Sequence, residues 1–267
     1  MTLKLLGSVT EILEKTKEAT GKDIRFVERN DLSTYAVVKP ARAHMPAHII
    51  FHKKDPGDMI NHLLAHECGH LLRIFSVPPE KRLIPRTNNQ IKLKALSEIE
   101  LEINRLSSSL PFQQLAEIVN MWYIGTVRQV TNFPPDIMIE KWIYDEYPEL
   151  RPYQSQTINK QYKEAVQGLS KRVAEITPHK FLNVSNTMNC AFFLILGRHF
   201  SVDYLGGYRN SRYSDKGEEL ASITQDYVNN YEGDIQMINK WSQFLELSHW
   251  FAWADFEDVP RNYEQIL

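Results

Sequence analysis

The sequence predicts an α+β fold in which a small sheet and two site-forming helices precede a mainly α-helical C-terminal region. Three observations support this class. Three short runs rich in β-branched and aromatic residues lie between residues 24 and 52. An apolar helical run that contains a His-Glu-x-x-His motif follows at residues 59–76. Beyond residue 111 the hydrophobic pattern is helical almost throughout.

The N-terminal segment is predicted to form one helix and three strands. The helix covers residues 8–20, where Ser8 and Glu11 form a capping-box pattern and Gly21 stands at a typical helix end. The strands are predicted at residues 24–27, 35–38 and 48–52. An Asp-Pro-Gly-Asp turn then precedes the next helix, with Asp58 as its predicted capping residue.

The His-Glu-x-x-His motif gives the next helix a metal-binding face. His66 and His70 are four residues apart, so both imidazoles can reach one metal ion. Glu67 lies about 100° further round, where it could take a proton from a water but is badly placed to bind the metal. Gly69 costs roughly 1 kcal/mol in a helix interior relative to alanine, which predicts close packing against another element. A core helix with two partly satisfied histidines is the alternative interpretation.

A second long helix, predicted over residues 88–110, supplies the candidate for a third metal ligand. Its apolar residues follow the spacing of a buried stripe: Leu96, Ile99, Ile103, Leu106 and Leu110. At 100° per residue Glu100 falls inside this stripe, whereas Glu98 points away and Glu102 lies on its margin. A carboxylate on an apolar face is unfavourable unless it is paired or binds a metal, so Glu100 is the predicted ligand. The alternative is a carboxylate at the edge of the stripe that reaches solvent.

Six of the nine histidines lie between His44 and His70, which indicates where the chemistry should be sought. His62 extends the four-residue series, but one straight helix separates its successive members by about 6 Å. A single ion therefore cannot bind both outer histidines well, and His62 is predicted near the mouth of the site or in solvent. His48 and His52 could line the cleft, although histidines on a short strand are more often half exposed.

Residues 66–72 resemble the His-Glu-x-Gly-His segment of ImmA/IrrE-type metallopeptidases, and residues 100–111 are similar to a second motif of that family. The matching positions in this second motif are Glu100, Asn104 and Pro111, and the departures are Ile103, Leu106 and Ser107, where the family has Ala, Phe and Ala. The resemblance covers about residues 8–112. It implies a zincin-like fold for this half, Zn²⁺ bound by the two histidines and Glu100, and endopeptidase activity on regulatory proteins.

The C-terminal half is predicted to be helical, and its helices match no motif. They are predicted at residues 111–132, from 134 onward, and at 153–177, 189–200, 215–230 and 235–247. A domain boundary is predicted after residue 132, within the interval 112–152. It would separate a zincin-like metallopeptidase domain (1–132) from a helical region of unknown role (133–267). The aromatic segment 250–256 is expected to pack on the body of the protein.

Composition and charge exclude several function classes. The net charge of −2 gives no basis for a nucleic-acid-binding surface. The most apolar run, residues 190–197, is far shorter than the ~20 residues that span a bilayer, so no membrane association is predicted. The beginning of the chain lacks the pattern of a signal peptide. Of the two cysteines, Cys68 lies inside the metal motif, where a disulfide would be awkward, and a cytoplasmic location is predicted.

These patterns predict a zinc-dependent endopeptidase in which His66, His70 and Glu100 bind Zn²⁺ and Glu67 activates the attacking water. The substrate is expected to be a protein or peptide, and it could pair with the strand at residues 48–52 if that strand has a free edge. The candidates for a donor to the oxyanion are Tyr123, His179, His199, Tyr208 and Tyr213.

Two other functions are compatible with the sequence. The chain could be a catalytically silent zinc-containing binding or sensor module in which the helical half is the working part. It could also be a latent protease effector that a regulatory partner or ligand switches on through the helical region. The length of that region, greater than a bare peptidase requires, motivates the second idea.

Overall fold

A computed structural model of the chain describes residues 4–32, 34–54, 57–107 and 111–259. The helices are α1 (Gly7–Thr20), α2 (Ile60–Phe75), α3 (Asn89–Ser97), α4 (Glu100–Ser107), α5 (Phe112–Glu146), α6 (Arg151–Gln167), α7 (Lys171–Ile176), α8 (His179–Phe200), α9 (Ser214–Ile223) and α10 (Tyr231–Phe244). The strands are β1 (Asp23–Glu28), β2 (Ala36–Lys39), β3 (Ala47–His52), β4 (Leu83–Arg86) and β5 (Ala252–Asp255). The predicted α+β class, with most of the structure helical, is confirmed.

The three predicted N-terminal strands form one mixed sheet in the order β1-β3-β2. β3 runs parallel to β1 and antiparallel to β2, with Val38 opposite Ile50. Substrate pairing with the strand at residues 48–52 required a free edge, and this condition is not met because β3 is the central strand. β2 is the edge strand on the side of α2. A second sheet pairs β4 with β5 and so joins the C-terminal segment to the N-terminal half.

Helix α1 packs against α2 and closes the first core. Val9 and Ile12 are fully buried with Leu64 and Ala65 of α2. The predicted helix end is confirmed: Gly21 has φ +65° and its N–H bonds to a carbonyl of the last turn, a conformation that favours glycine. The predicted capping box is wrong. The Ser8 hydroxyl instead donates to the carboxylate of Glu149 at 2.7 Å.

The helix predicted over residues 88–110 is broken. α3 ends at Ser97, two non-helical residues follow, and α4 begins at Glu100. Because of this break, the side chains of α4 point in other directions than they would on a continuation of α3. The apolar stripe that was predicted for one continuous helix is therefore not formed. Glu100 is exposed in the first turn of α4. Residues 108–110 of the predicted helix lie outside the described residues.

Helix α5 runs without interruption through Pro134 and Pro135, where a new helix was predicted to begin. A proline inside a helix removes a hydrogen bond and costs about 3 kcal/mol, and here packing on both sides offsets that cost. Tyr123 of α5 contributes to a large C-terminal core, whereas Ile139 and Ile143 belong to the core under α1 and α2. The predicted boundary after residue 132 falls inside this helix, and two independent domains stay a prediction.

The C-terminal core is built around α8, which packs against α5 and α9. The predicted helix at residues 153–177 is interrupted at residues 168–170, between α6 and α7. The aromatic segment packs inward as expected, since Trp250 is fully buried and Phe251 is nearly so. Within the described residues, no helix is both long and apolar enough to cross a lipid bilayer.

Candidate metal centre

Helix α2 carries the His-Glu-x-x-His motif as predicted and crosses α5 at the level of the motif. The predicted close contact at Gly69 is confirmed: a Cβ there would lie 2.6 Å from Cγ2 of Ile139. Glycine therefore lets the two helices approach more closely than any other residue would allow. This crossing brings the motif next to two carboxylates of α5, Asp136 and Glu140.

Asp136 completes a three-residue cluster with the two motif histidines. Its Oδ1 atom lies 3.1 Å from Nε2 of His70 and 3.4 Å from Nε2 of His66. The two Nε2 atoms are 3.2 Å apart. Oδ1 is buried, yet it makes no hydrogen bond with any described residue. Three potential ligand atoms thus converge on one point instead of pairing with separate partners.

The spacing of these atoms fits a zinc ion. Tetrahedral Zn²⁺ with bonds of about 2.0–2.1 Å places its ligand atoms about 3.3–3.4 Å from one another. The three measured separations, 3.1, 3.2 and 3.4 Å, lie close to that value. Two imidazoles and a carboxylate are also a ligand set that zinc accepts, with a fourth position left for water or substrate. The residues present therefore fit the metal that the motif predicts.

Glu140 bonds to His66 on the side of the ring that faces away from Asp136. Its Oε1 atom lies 2.8 Å from Nδ1 of His66, on the ring edge opposite the nitrogen that faces Asp136. Its Oε2 atom lies 2.9 Å from Nε2 of His62 and accepts a hydrogen bond from the Gln154 amide at 2.6 Å. These are hydrogen-bond distances, shorter than the spacing around a shared tetrahedral ion. Glu140 is thus placed to fix the tautomer and orientation of His66.

The electrostatics of the cluster follow from burial and close charges. Burial by itself raises the pKa of Glu140, but the imidazoles of His62 and His66 outweigh it and hold that pKa well below the usual range. Burial by itself lowers the pKa of His66, but Asp136 and Glu140 outweigh it and raise that pKa well above its usual value. The two carboxylates therefore favour the protonated form of His66 in the absence of a metal, and a metal ion that binds this imidazole competes with the proton.

Glu67 lies on the cavity side of α2, beside the histidines. It is 8% exposed, and its Oε2 atom accepts a hydrogen bond from the backbone N–H of Val38 on β2 at 2.9 Å. Burial raises the pKa of Glu67, although His70 and His66 oppose the shift. A carboxylate with a raised pKa is a better proton acceptor near neutral pH than an ordinary glutamate.

The structure does not bring Glu100 to this centre. Among the described residues, two groups of three possible ligands have all their ligand atoms within 4.8 Å of one another: His66, His70 and Asp136, and His62, His66 and Glu140. Glu100 belongs to neither group. The physical reason is the break before α4, which leaves Glu100 exposed while α5 fills the space beside the histidines. Among the described residues, Asp136 is therefore the carboxylate that lies with both motif histidines, and it is the candidate for the third ligand position.

The expectations for the other histidines are also corrected. His62 is 1% exposed and bonded to Glu140, whereas it was expected at the site mouth or in solvent. His48 and His52 are 0% and 6% exposed, because they lie on the central strand. The Nδ1 atom of His48 accepts a hydrogen bond from the N–H of Ala41 at 2.8 Å, and burial lowers the pKa of His48 to about 4.

The metal centre opens into a cavity of about 690 Å³, bounded by β2, α2, α5, α6 and α8. None of the residues considered as donors to an oxyanion is among the described residues that line this cavity. These residues are Tyr123, His179, His199, Tyr208 and Tyr213. Tyr123, for example, is fully buried and donates to the carbonyl of Trp250 at 2.6 Å.

Sequence reasoning missed Asp136 and Glu140, although a signal was present. The two carboxylates are four residues apart, so they share one helix face, and the three residues between them are apolar. The same reasoning that singled out Glu100 applies to them: a carboxylate in an apolar helix needs a partner or a metal. The preceding Pro134 and Pro135 suggested a helix start and so drew attention away from this face.

Comparisons of the chain with models of protein families, with curated proteins and with solved structures find no match. The chemistry of the centre is therefore inferred from its residues.

Proposed function

We propose that the chain is a zinc-dependent endopeptidase in which His66, His70 and Asp136 bind the metal and Glu67 is the general base. The observation that carries this proposal is the convergence of three ligand atoms, 3.1–3.4 Å apart, beside a buried glutamate that does not belong to the ligand group. The distant relationship to ImmA/IrrE-type peptidases is also a proposal. It rests on residues 66–72, since Glu100 of the second motif lies away from the centre.

A bound Zn²⁺ would supply a water of pKa about 7 and polarise the carbonyl of the scissile peptide bond. Glu67 would accept a proton from the attacking water as the oxygen of that water adds to the carbonyl carbon. When the C–N bond breaks, Glu67 passes the proton to the leaving amine, so that one carboxylic acid and one amine are formed. Glu140 and His62 hold the ring of His66 in place throughout.

The test uses zinc-loaded protein and a peptide mixture derived from a whole proteome, with new peptide termini detected by mass spectrometry. The proposal predicts new termini with the parent protein and at least a 100-fold loss with Glu67→Gln, which should keep its zinc. Glu102→Gln, a carboxylate outside the cluster, is the matched control and should cleave like the parent. A protein with one zinc per chain and no cleavage of any peptide would instead support the silent binding or sensor module.

A further inference from the structure

The cavity beside the metal centre has the size of a binding site for a short, specific ligand. Its volume of about 690 Å³ lies within the range of roughly 300–1,000 Å³ that small-molecule sites occupy. One wall comes from the N-terminal half, through β2 and α2. The opposite wall comes from α5, α6 and α8, so the helical half of the chain shapes the space in which the substrate must lie.

Helix α5 presents a continuous stripe of polar residues along this cavity. Arg128, Asn132, Asp136 and Glu140 follow one another at four-residue intervals, so they share one helix face, and all four line the cavity. The metal centre occupies one end of the stripe and Arg128 the other. Eight residues at 1.5 Å per residue place the Cα atoms of Arg128 and Asp136 about 12 Å apart along the helix.

The end of the cavity near Arg128 differs in charge and hydrogen-bonding groups from the metal end. Of the described residues that line the cavity, Arg128 is the one arginine or lysine. Two amide side chains of α5 and α8 also line the cavity: Gln129 donates to Oδ1 of Asn189 at 2.8 Å. Four carboxylates from the described part of the chain line the cavity: Glu67, Asp136 and Glu140 lie at the metal end, and Glu164 of α6 accepts a hydrogen bond from the Tyr35 hydroxyl. Arg128 is half-buried and already interacts within the protein. A guanidinium has five N–H donors in all, so two of them can bind a carboxylate of the substrate through parallel hydrogen bonds.

We propose that Arg128 is a specificity-determining residue that binds a carboxylate of the peptide substrate, two to four residues from the bond that is cleaved. The interval follows from the ~12 Å along α5 and the ~3.3 Å that an extended peptide covers per residue. The carboxylate is either an aspartate or glutamate side chain or the free C-terminus of a short peptide. This inference rests on the proposed function, because the position of the scissile bond is set by the metal centre.

The test measures equilibrium binding to the zinc-loaded Glu67→Gln protein, which separates recognition from cleavage. The probes are acetylated octapeptide libraries in which each position in turn is fixed as glutamate or glutamine, each made with a free or an amidated C-terminus. We expect one position with glutamate, or the free C-terminus, to bind at least tenfold more tightly than its neutral counterpart. A preference at one position identifies a side chain, and a preference for the free C-terminus identifies the terminal carboxylate.

Variants added to the same protein assign the effect to Arg128. Arg128→Met should abolish the preference, and Arg128→Lys, which keeps the charge but loses the two parallel hydrogen bonds, should weaken it severalfold. Arg172→Met removes an exposed arginine from α7 and should change nothing. If Arg128→Met does not fold, as judged by its thermal unfolding, Arg128→Lys still decides the question. An unchanged preference in either folded Arg128 variant, no preference in the Glu67→Gln protein, or no binding of any library, overturns the proposal.

Cleavage of the same libraries by the parent protein is measured separately. Binding with an Arg128-dependent preference but without any cleavage would contradict the endopeptidase and leave the carboxylate site standing. Cleavage without that preference would support the endopeptidase and contradict the carboxylate site.

Discussion

Gly69→Ala perturbs the crossing of α2 and α5 that assembles the metal centre. The new Cβ would lie 2.6, 3.0 and 3.3 Å from Cγ2, Cγ1 and Cδ1 of Ile139. Carbon atoms that are not bonded to each other prefer 3.5–4.0 Å, so the helices or the isoleucine must move by about 1 Å. Ile139 is 1% exposed and branched at Cβ, which leaves it little freedom to rotate away.

Overpacking of this kind costs about 1–3 kcal/mol, and the gain in helix propensity from glycine to alanine returns about 1 kcal/mol. We expect the unfolding free energy of the metal-free protein, measured in urea, to fall by up to about 2 kcal/mol. Zinc affinity, measured by competition with a chelator, should fall as well, because Asp136 lies on the displaced helix.

The double variant Gly69→Ala with Ile139→Ala tests the cause. Ile139→Ala alone should cost about 2–5 kcal/mol, and in the Gly69→Ala background it should cost at least 1 kcal/mol less, since the added methyl group fills part of the space. Strictly additive losses, or a Gly69→Ala protein as stable as the parent with unchanged zinc affinity, would refute this account of the crossing.

Three further predictions concern the surroundings of the centre. Glu140→Gln should lower zinc affinity 10–100-fold without abolishing binding, because it weakens the bond that orients His66; equal affinity by chelator competition would contradict this. The pKa of His48 falls from 6.5 to about 4 on folding, so the unfolded state binds more protons between these values and stability is lost as pH falls from 6.5 to 4. Relative to His48→Gln, the parent should lose about 3 kcal/mol of unfolding free energy over this pH window, as measured by urea titration of the metal-free proteins. If the unfolding free energies of the two proteins change in parallel with pH, the lowered pKa of His48 is excluded. Asp234→Ala should cost about 3–5 kcal/mol, since it leaves the guanidinium of Arg73 without the carboxylate that it bonds at 2.6 Å; a loss below 1 kcal/mol would show that the pair matters little.

The elements closest to the motif were predictable from local pattern. The three strands, α1 and α2 appear where hydrophobic periodicity and turn residues place them. The contact at Gly69 was predictable because a glycine inside an apolar helix has few reasons to be there other than close packing. These features are decided by residues that lie close together in the sequence, so the sequence alone was enough to predict them.

The position of Asp136, the proposed third ligand, was not predictable from the same rules. The break between Ser97 and Glu100 contains neither glycine nor proline, so only tertiary packing decides that the helix stops there. Conversely, Pro134 and Pro135 are strong local signals for a helix start, and the packing of α5 on both cores overrides them. Both errors moved the expected carboxylate from α5 to the preceding helical segment. The burial of His48 likewise depends on strand order, which the residues of a single strand do not reveal.

The metal content of the purified protein distinguishes Asp136 from Glu100 as the third ligand, with Asp136→Ala and Glu100→Ala prepared in parallel and compared at one chelator concentration. The structure predicts one zinc per chain in the parent and in Glu100→Ala, and a loss of most of the metal in Asp136→Ala. Zinc retained by Asp136→Ala and lost by Glu100→Ala would contradict the assignment of the centre. If the purified parent protein contains no zinc and takes up none on dialysis against a zinc salt, the proposed metal site is refuted.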